Sequence, residues 1–182
     1  MILSFDGRQP RLDSTAFVAA GAQLIGDIEI GAESSIWYNC VLRADVHHIR
    51  IGARSNIQDG TVIHVDSDRG AGAGPRPTLI GDDVLIGHLA MIHGAVLRDR
   101  AFVGMCAIIM DAEIESDGML AAGAMLTAGK RIGARQLWVG RPARYLRDLS
   151  DEEVAANRAG VAGYVENARA HRATVREAQA FR

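Results

Sequence analysis

Lysine is almost missing from this chain. Lys130 stands alone and every other basic residue is arginine, which reads as a genomic bias rather than a site. Aromatic residues are scarce at 5%, which argues against a core built on large rings. The two cysteines, Cys40 and Cys106, are too few for a secreted disulfide scaffold and read as free thiols. No excess of one charge exists either. The net charge of −2 gives no basic surface for a nucleic-acid partner. No stretch approaches the ~20 apolar residues that cross a bilayer. Met1 to Gly7 lack the basic-then-apolar layout of a signal peptide. The expected location is therefore cytoplasmic, away from any membrane.

What the chain does have is glycine, 20 residues of it, and an aliphatic residue every six positions. The series runs Val18, Leu24, Ile30, Ile36, Leu42, pauses for three residues, and resumes at Ile51, Ile57 and Ile63. It returns at Ile80, Ile86 and Ile92, then at Leu97, Val103 and Ile109, and finally at Ile114, Leu120, Leu126 and Ile132. Glycine follows directly at Gly31, Gly52, Gly81, Gly87 and Gly133.

A period of six matches neither an amphipathic helix nor a long alternating strand. It matches a chain that turns a corner every six residues, so that three sides close one coil. The aliphatic residue points inward on each side, and the small residues are expected to let the backbone bend. Stacked coils form parallel strands about 4.8 Å apart, each covering its neighbour's apolar surface. The expected organisation is an all-β solenoid over residues 1–149, with a loop projecting at 65–78, and a C-terminal α-helix over 150–182 packed against it. The loop is rich in Gly and Pro. The helix opens on Ser150 and Glu153, a capping-box pair, and carries Val154, Val161, Tyr164, Val165 and Ala168 at helical spacing. Pro142 lies in the connector.

The histidines acquire meaning on this coil. His64 follows inward Ile63 and His93 follows inward Ile92, both on the third side of successive coils. They occupy equivalent outward positions one strand apart, where two imidazoles can share a metal at about 2.1 Å. His88 falls on the second side, near a corner, and points away from that pair. A neighbouring subunit could supply it, which argues for a cyclic homotrimer with metal sites at the subunit interfaces.

The segments Leu42-Arg43-Ala44-Asp45, Asn56-Ile57-Gln58-Asp59-Gly60, Val62-Ile63-His64, Ile86-Gly87-His88 and Ile92-His93-Gly94 resemble the signature of the γ-class carbonic anhydrase family. The exit segment Trp138 to Ala143 extends the likeness. The resemblance implies that the solenoid is a left-handed parallel β-helix of hexapeptide repeats, a hand opposite to that of ordinary crossovers. It implies His64, His88 and His93 as metal ligands, with Zn2+ the default and Fe2+ or Co2+ possible. Arg43, Asp45 and Asp59 match an intersubunit salt-bridge cluster. Gln58 matches the side chain that hydrogen-bonds metal-bound water, Asn56 its orienting partner, and Tyr164 a tail-helix hydroxyl that reaches the site. The implied activity is hydration of CO2 to bicarbonate by metal-bound hydroxide.

The chain also departs from the family's most active pattern. Its projecting loop has no Glu, only Asp66 and Asp68, and Val46 follows Asp45 where another acid is expected. Proton export would then fall to His47, His48 or buffer. His47 and His48 otherwise read as exposed or flanking residues, and His171 as solvated. Two rivals stand beside CO2 hydration: an acyl-CoA thioesterase or acyltransferase on the same scaffold, and a non-catalytic metal-binding homologue.

Overall fold

A computed structural model describes residues 1–67 and 76–175. The chain winds into a parallel β-solenoid of about 7 turns, a left-handed β-helix of hexapeptide repeats closed by one C-terminal helix. One side stacks Phe17–Val18, Ser35–Ile36, Asn56–Ile57, Leu85–Ile86, Phe102–Val103 and Met119–Leu120 in parallel register. The next stacks the start of Val41–Ile51 on Val62–His64, Met91–His93, Ile108–Met110 and Met125–Leu126. The aliphatic series fills the interior. Every member from Leu24 to Ile132 is at most 4% exposed, and Val18 packs partly buried at the first coil. Strand alternation explains the result: an inward residue forces both neighbours outward.

Among the described residues, eight glycines do take a positive φ, but those that directly follow an inward aliphatic serve a different purpose from the expected one. Backbone bending falls mainly on residues with positive φ, most of them not glycine. Glu33, Arg54, Asp83, Arg100, Asp117 and Arg135 all sit between 56° and 62° along one corner. Each lies three residues after an inward aliphatic. Gly31, Gly52 and Gly87 have no such φ. They are needed because coils approach closely: a Cβ on Gly31 would lie 2.6 Å from the Gly52 carbonyl carbon, and one on Gly87 would lie 2.6 Å from the Met105 nitrogen.

That corner also carries charges of alternating sign. Arg54 donates to both carboxylate oxygens of Asp83 at 2.7 Å, and Arg100 pairs with Asp117 at 3.1 Å. The terminal helix, Asp151–Thr174, is tied to the same ladder through Arg158–Asp117 at 2.9 Å and Arg169–Glu33. Its capping box forms as expected: Glu153 N–H donates to Ser150 Oγ at 3.2 Å, and Ser150 N–H donates to Glu153 Oε2 at 2.9 Å. Val154, Val161, Val165 and Ala168 are buried. The helix spans 24 residues, ending before the expected 182. Val175 turns extended at its C-cap, and residues 176–182 lie outside the described ones.

The three-residue pause in the repeat is visible. The strand Val41–Ile51 does not break at residues 46–48. It continues through a bulge, with Gly26 opposite Ala44 and Ile28 opposite Ile49. At the base of the expected loop, Asp66 and Arg76 exchange backbone hydrogen bonds of 3.0 and 3.3 Å. Residues 68–75, including Asp68, lie outside the described ones.

Candidate metal centre

His64 and His93 meet on one side of the solenoid. Parallel register sets Arg43 beside His64, His64 beside His93, and His93 beside Met110. Ile63 and Ile92 point inward with no exposure, so the following histidines must point outward. Their ring centroids stand 5.3 Å apart, and both side chains are largely covered, at 22% and 23% exposure. His64 Nε2 bonds Asp45 Oδ1 at 2.9 Å, and Arg43 pairs with the other Asp45 oxygen. Burial disfavours the Asp45 carboxylate, but the hydrogen bonds from His64 and Arg43 outweigh it and hold its carboxyl below the usual range.

His88 stands on a different corner. Backbone bonds stack it over Asp59, and Asp59 over Tyr38, through Leu89 N–H and Gly60 N–H at 2.9 Å each. Its Nδ1 lies 2.8 Å from Asp59 Oδ2. The Tyr164 hydroxyl is 3.5 Å from its Nε2, so the helix does bring Tyr164 to a histidine. Tyr164 also packs edge-on against Trp37 at 5.4 Å, and burial pushes its phenol up. Asn56 and Gln58 are buried, at 1% and 4% exposure. Gln58 Nε2 donates to Asn56 Oδ1 at 3.0 Å.

Within one chain, His64 and His93 are therefore neighbours, while His88 belongs to a separate cluster with Asp59 and Tyr164. The expected cluster of Arg43, Asp45 and Asp59 divides in the same way: Arg43 and Asp45 lie with His64, and Asp59 lies with His88. Among the described residues, one set of three ligand atoms does converge within 4.8 Å, from Asp66, His93 and Asp111. Asp111 escaped the sequence reading. Its only signal was its place two residues after inward Ile109, at a corner over His93.

Two other histidine expectations change. His47 and His48 are partly buried in the bulge, with rings 4.5 Å apart. Burial, then Arg50 and His47, push the His48 imidazole down. His171 is not simply solvated: its ring packs edge-on against Trp37 at 4.9 Å, and its Nδ1 lies 3.0 Å from the Tyr38 hydroxyl. The helix returns to the first coils at this point, a contact between residues 133 apart that no local pattern encodes.

No family model matches the chain. Among individual proteins, it is 45% identical to gamma carbonic anhydrase 1, mitochondrial, of Arabidopsis thaliana, over 91% of this chain and 60% of that protein. It is 36% identical to a carbonic anhydrase of Geobacillus kaustophilus, over 85% of this chain and 81% of that one. The chain thus spans about 60% of the length of the first Arabidopsis relatives. Among solved structures, a hexapeptide transferase family protein from Anaplasma phagocytophilum superposes with a TM-score of 0.86 at 41% identity, covering 93% of this chain and 97% of that one. With 36% identity over four fifths of one carbonic anhydrase and 45% identity to a gamma carbonic anhydrase over most of this chain, the chain belongs to the γ-carbonic anhydrase family.

Proposed function

We propose that the protein hydrates CO2 to bicarbonate, with a divalent cation held by His64 and His93 of one chain and His88 of a second. The observation that carries this reading is the pairing of His64 with His93 on adjacent strands while His88 stands apart on another corner. The donor set suits Zn2+, with Fe2+ or Co2+ as substitutes. A part-buried imidazole pair and a third imidazole aligned by a carboxylate make a three-nitrogen site with room for one more ligand. The cation, when bound, lowers the pKa of water from about 15.7 to about 7 and so supplies hydroxide at neutral pH.

The exposed apolar residues support assembly into a trimer. Val62 and Met91 flank the histidine pair at 41% and 39% exposure, and Leu89 and Met105 flank His88 at 64% and 54%. A second copy that brings one corner to the other side covers both patches. Arg43, Asp45 and Asp59 then face each other across the interface, where Arg–carboxylate pairing is favoured.

The remaining roles follow from position. Asn56 holds the Gln58 amide nitrogen, which leaves Gln58 Oε1 to accept a hydrogen bond from a reacting oxygen. Tyr164 places a hydroxyl beside His88. No helix in the described residues is long and apolar enough to cross a membrane, and the proposed location is cytoplasmic. Proton export falls to His47 and His48 or to buffer.

A second reading, acyl transfer or thioester hydrolysis, is favoured by the likeness to the hexapeptide transferase family protein. A non-catalytic metal-binding role is the third. Stopped-flow CO2 hydration by metal-quantified protein, run beside an acyl-CoA hydrolysis and transfer panel, separates them. Hydration that tracks metal content supports the proposal. Acyl-CoA turnover without hydration overturns it.

A further inference from the structure

His93 has two ring nitrogens, and a cation takes only one. Asp111 stands over this residue from the next coil. Its N–H donates to the His93 carbonyl at 2.9 Å, and its own carbonyl accepts from Arg76 Nη1 at 3.2 Å. With φ at 46°, the backbone is pinned in a conformation that aims the carboxylate back toward the histidine. Asp111 Oδ1 lies 3.8 Å from His93 Nδ1. That oxygen is buried and has no hydrogen-bond partner in the chain as described.

A buried carboxylate oxygen without a donor is costly. The donor placed opposite it is an Nδ1–H on His93, and a small side-chain rotation closes the remaining gap. The neighbouring cluster shows the completed version of this arrangement, with Asp59 on Nδ1 of His88 at 2.8 Å. A carboxylate on one imidazole nitrogen fixes the tautomer and turns the other nitrogen outward as a lone-pair donor.

We infer that Asp111 is a positioning residue that holds His93 as the Nδ1–H tautomer and presents its Nε2 to the cation. This rests on the reading of His93 as a cation ligand. Asp111 touches neither substrate nor cation. Asp66, whose ligand atom lies within 4.8 Å of the other two, is not needed for the effect.

The test uses the assembled protein with Zn2+ as the probe, its affinity measured by chelator competition. Asp111→Gly removes the carboxylate and tolerates the positive φ. It is expected to weaken zinc binding about 10–100-fold. Asp111→Asn keeps a neutral acceptor and should restore part of the loss. Nitrogen NMR of the same protein stripped of metal should show His93 as Nδ1–H in the wild type. In Asp111→Gly it should revert to the Nε2–H form that free imidazole side chains prefer. Asp66→Ala should leave both readouts unchanged.

Wild-type affinity and an unchanged tautomer in Asp111→Gly overturn the inference. So does a loss in Asp66→Ala equal to that in Asp111→Gly, which would make the two carboxylates joint ligands. If Asp111→Gly does not fold, as judged by far-UV circular dichroism, the affinity and tautomer of Asp111→Asn decide. An Asn variant identical to wild type in both then counts against the role. His93→Ala separates the two layers. If it keeps zinc, the ligand reading itself falls. If it loses zinc while Asp111→Gly keeps it, only the positioning role falls.

Discussion

The imidazoles of His64 and His93 face one another across two adjacent parallel strands, 5.3 Å between ring centroids. Each is forced outward by the buried isoleucine before it. If these rings share a cation, His93→Ala should remove bound zinc and CO2 hydration together, since two imidazoles hold a divalent ion poorly. Metal analysis of the purified variant checks this. Full hydration activity in His93→Ala would refute the assignment.

Gln58 and Asn56 form a buried amide pair at 3.0 Å. Gln58→Ala should retain metal and assembly yet lower kcat by about 10²–10³-fold, the usual cost of removing one hydrogen bond to a reacting oxygen. Asn56→Ala should act in the same direction through Gln58. Steady-state hydration at matched metal content gives the comparison. A fall in metal content equal to the fall in rate would instead point to a structural role.

Arg43 is 46% exposed in the isolated chain, where its pair with Asp45 is worth only about 0–1 kcal/mol. Covered by a second subunit, loss of one partner costs about 3–5 kcal/mol. Arg43→Ala should therefore leave the far-UV spectrum intact while the assembly dissociates at low concentration. Light scattering across a dilution series reads the effect, and an unchanged dissociation constant argues against an interface.

Turnover should rise with the concentration of an imidazole-type buffer. No Glu stands in the loop and Val46 follows Asp45, so an external base can carry the proton. High turnover that ignores buffer would indicate an internal route, and His47→Ala with His48→Ala would locate it.

Glu153 titrates at about 2, held down first by Arg147 and then by the Ser150 backbone N–H. A depressed carboxyl stabilises the fold above its unfolded value of 4.5, and that contribution is lost as pH falls through about 2. The start of the terminal helix should loosen across this window. Glu153→Gln keeps the capping acceptor but not the charge, and should flatten this part of the pH dependence in far-UV circular dichroism.

The aliphatic hexad specified the solenoid and its inward face. Burial of one side chain every six residues is a local, repeating constraint that can be read without coordinates. The pairing of His64 with His93 was legible for the same reason, since both follow an inward isoleucine. The corner ladder of Glu33, Arg54, Asp83, Arg100, Asp117 and Arg135 was equally present in the repeat, three residues after the inward aliphatic of one side in each coil.

Other relationships depended on the tertiary structure. Which corner groups touch is decided by how many residues lie between coils, and the bulge at 46–48 and the loop at 65–78 shift that count. Tyr38 meets His171, and Tyr164 meets His88, because the helix docks along one side through contacts between residues 133 and 76 apart. Gln58 is buried although its place one residue after inward Ile57 turns it away from the solenoid interior. Asp111 faces His93 because the backbone takes a left-handed turn one coil later. Periodic burial propagates along a sequence, whereas the meeting of two distant side chains depends on the whole path between them.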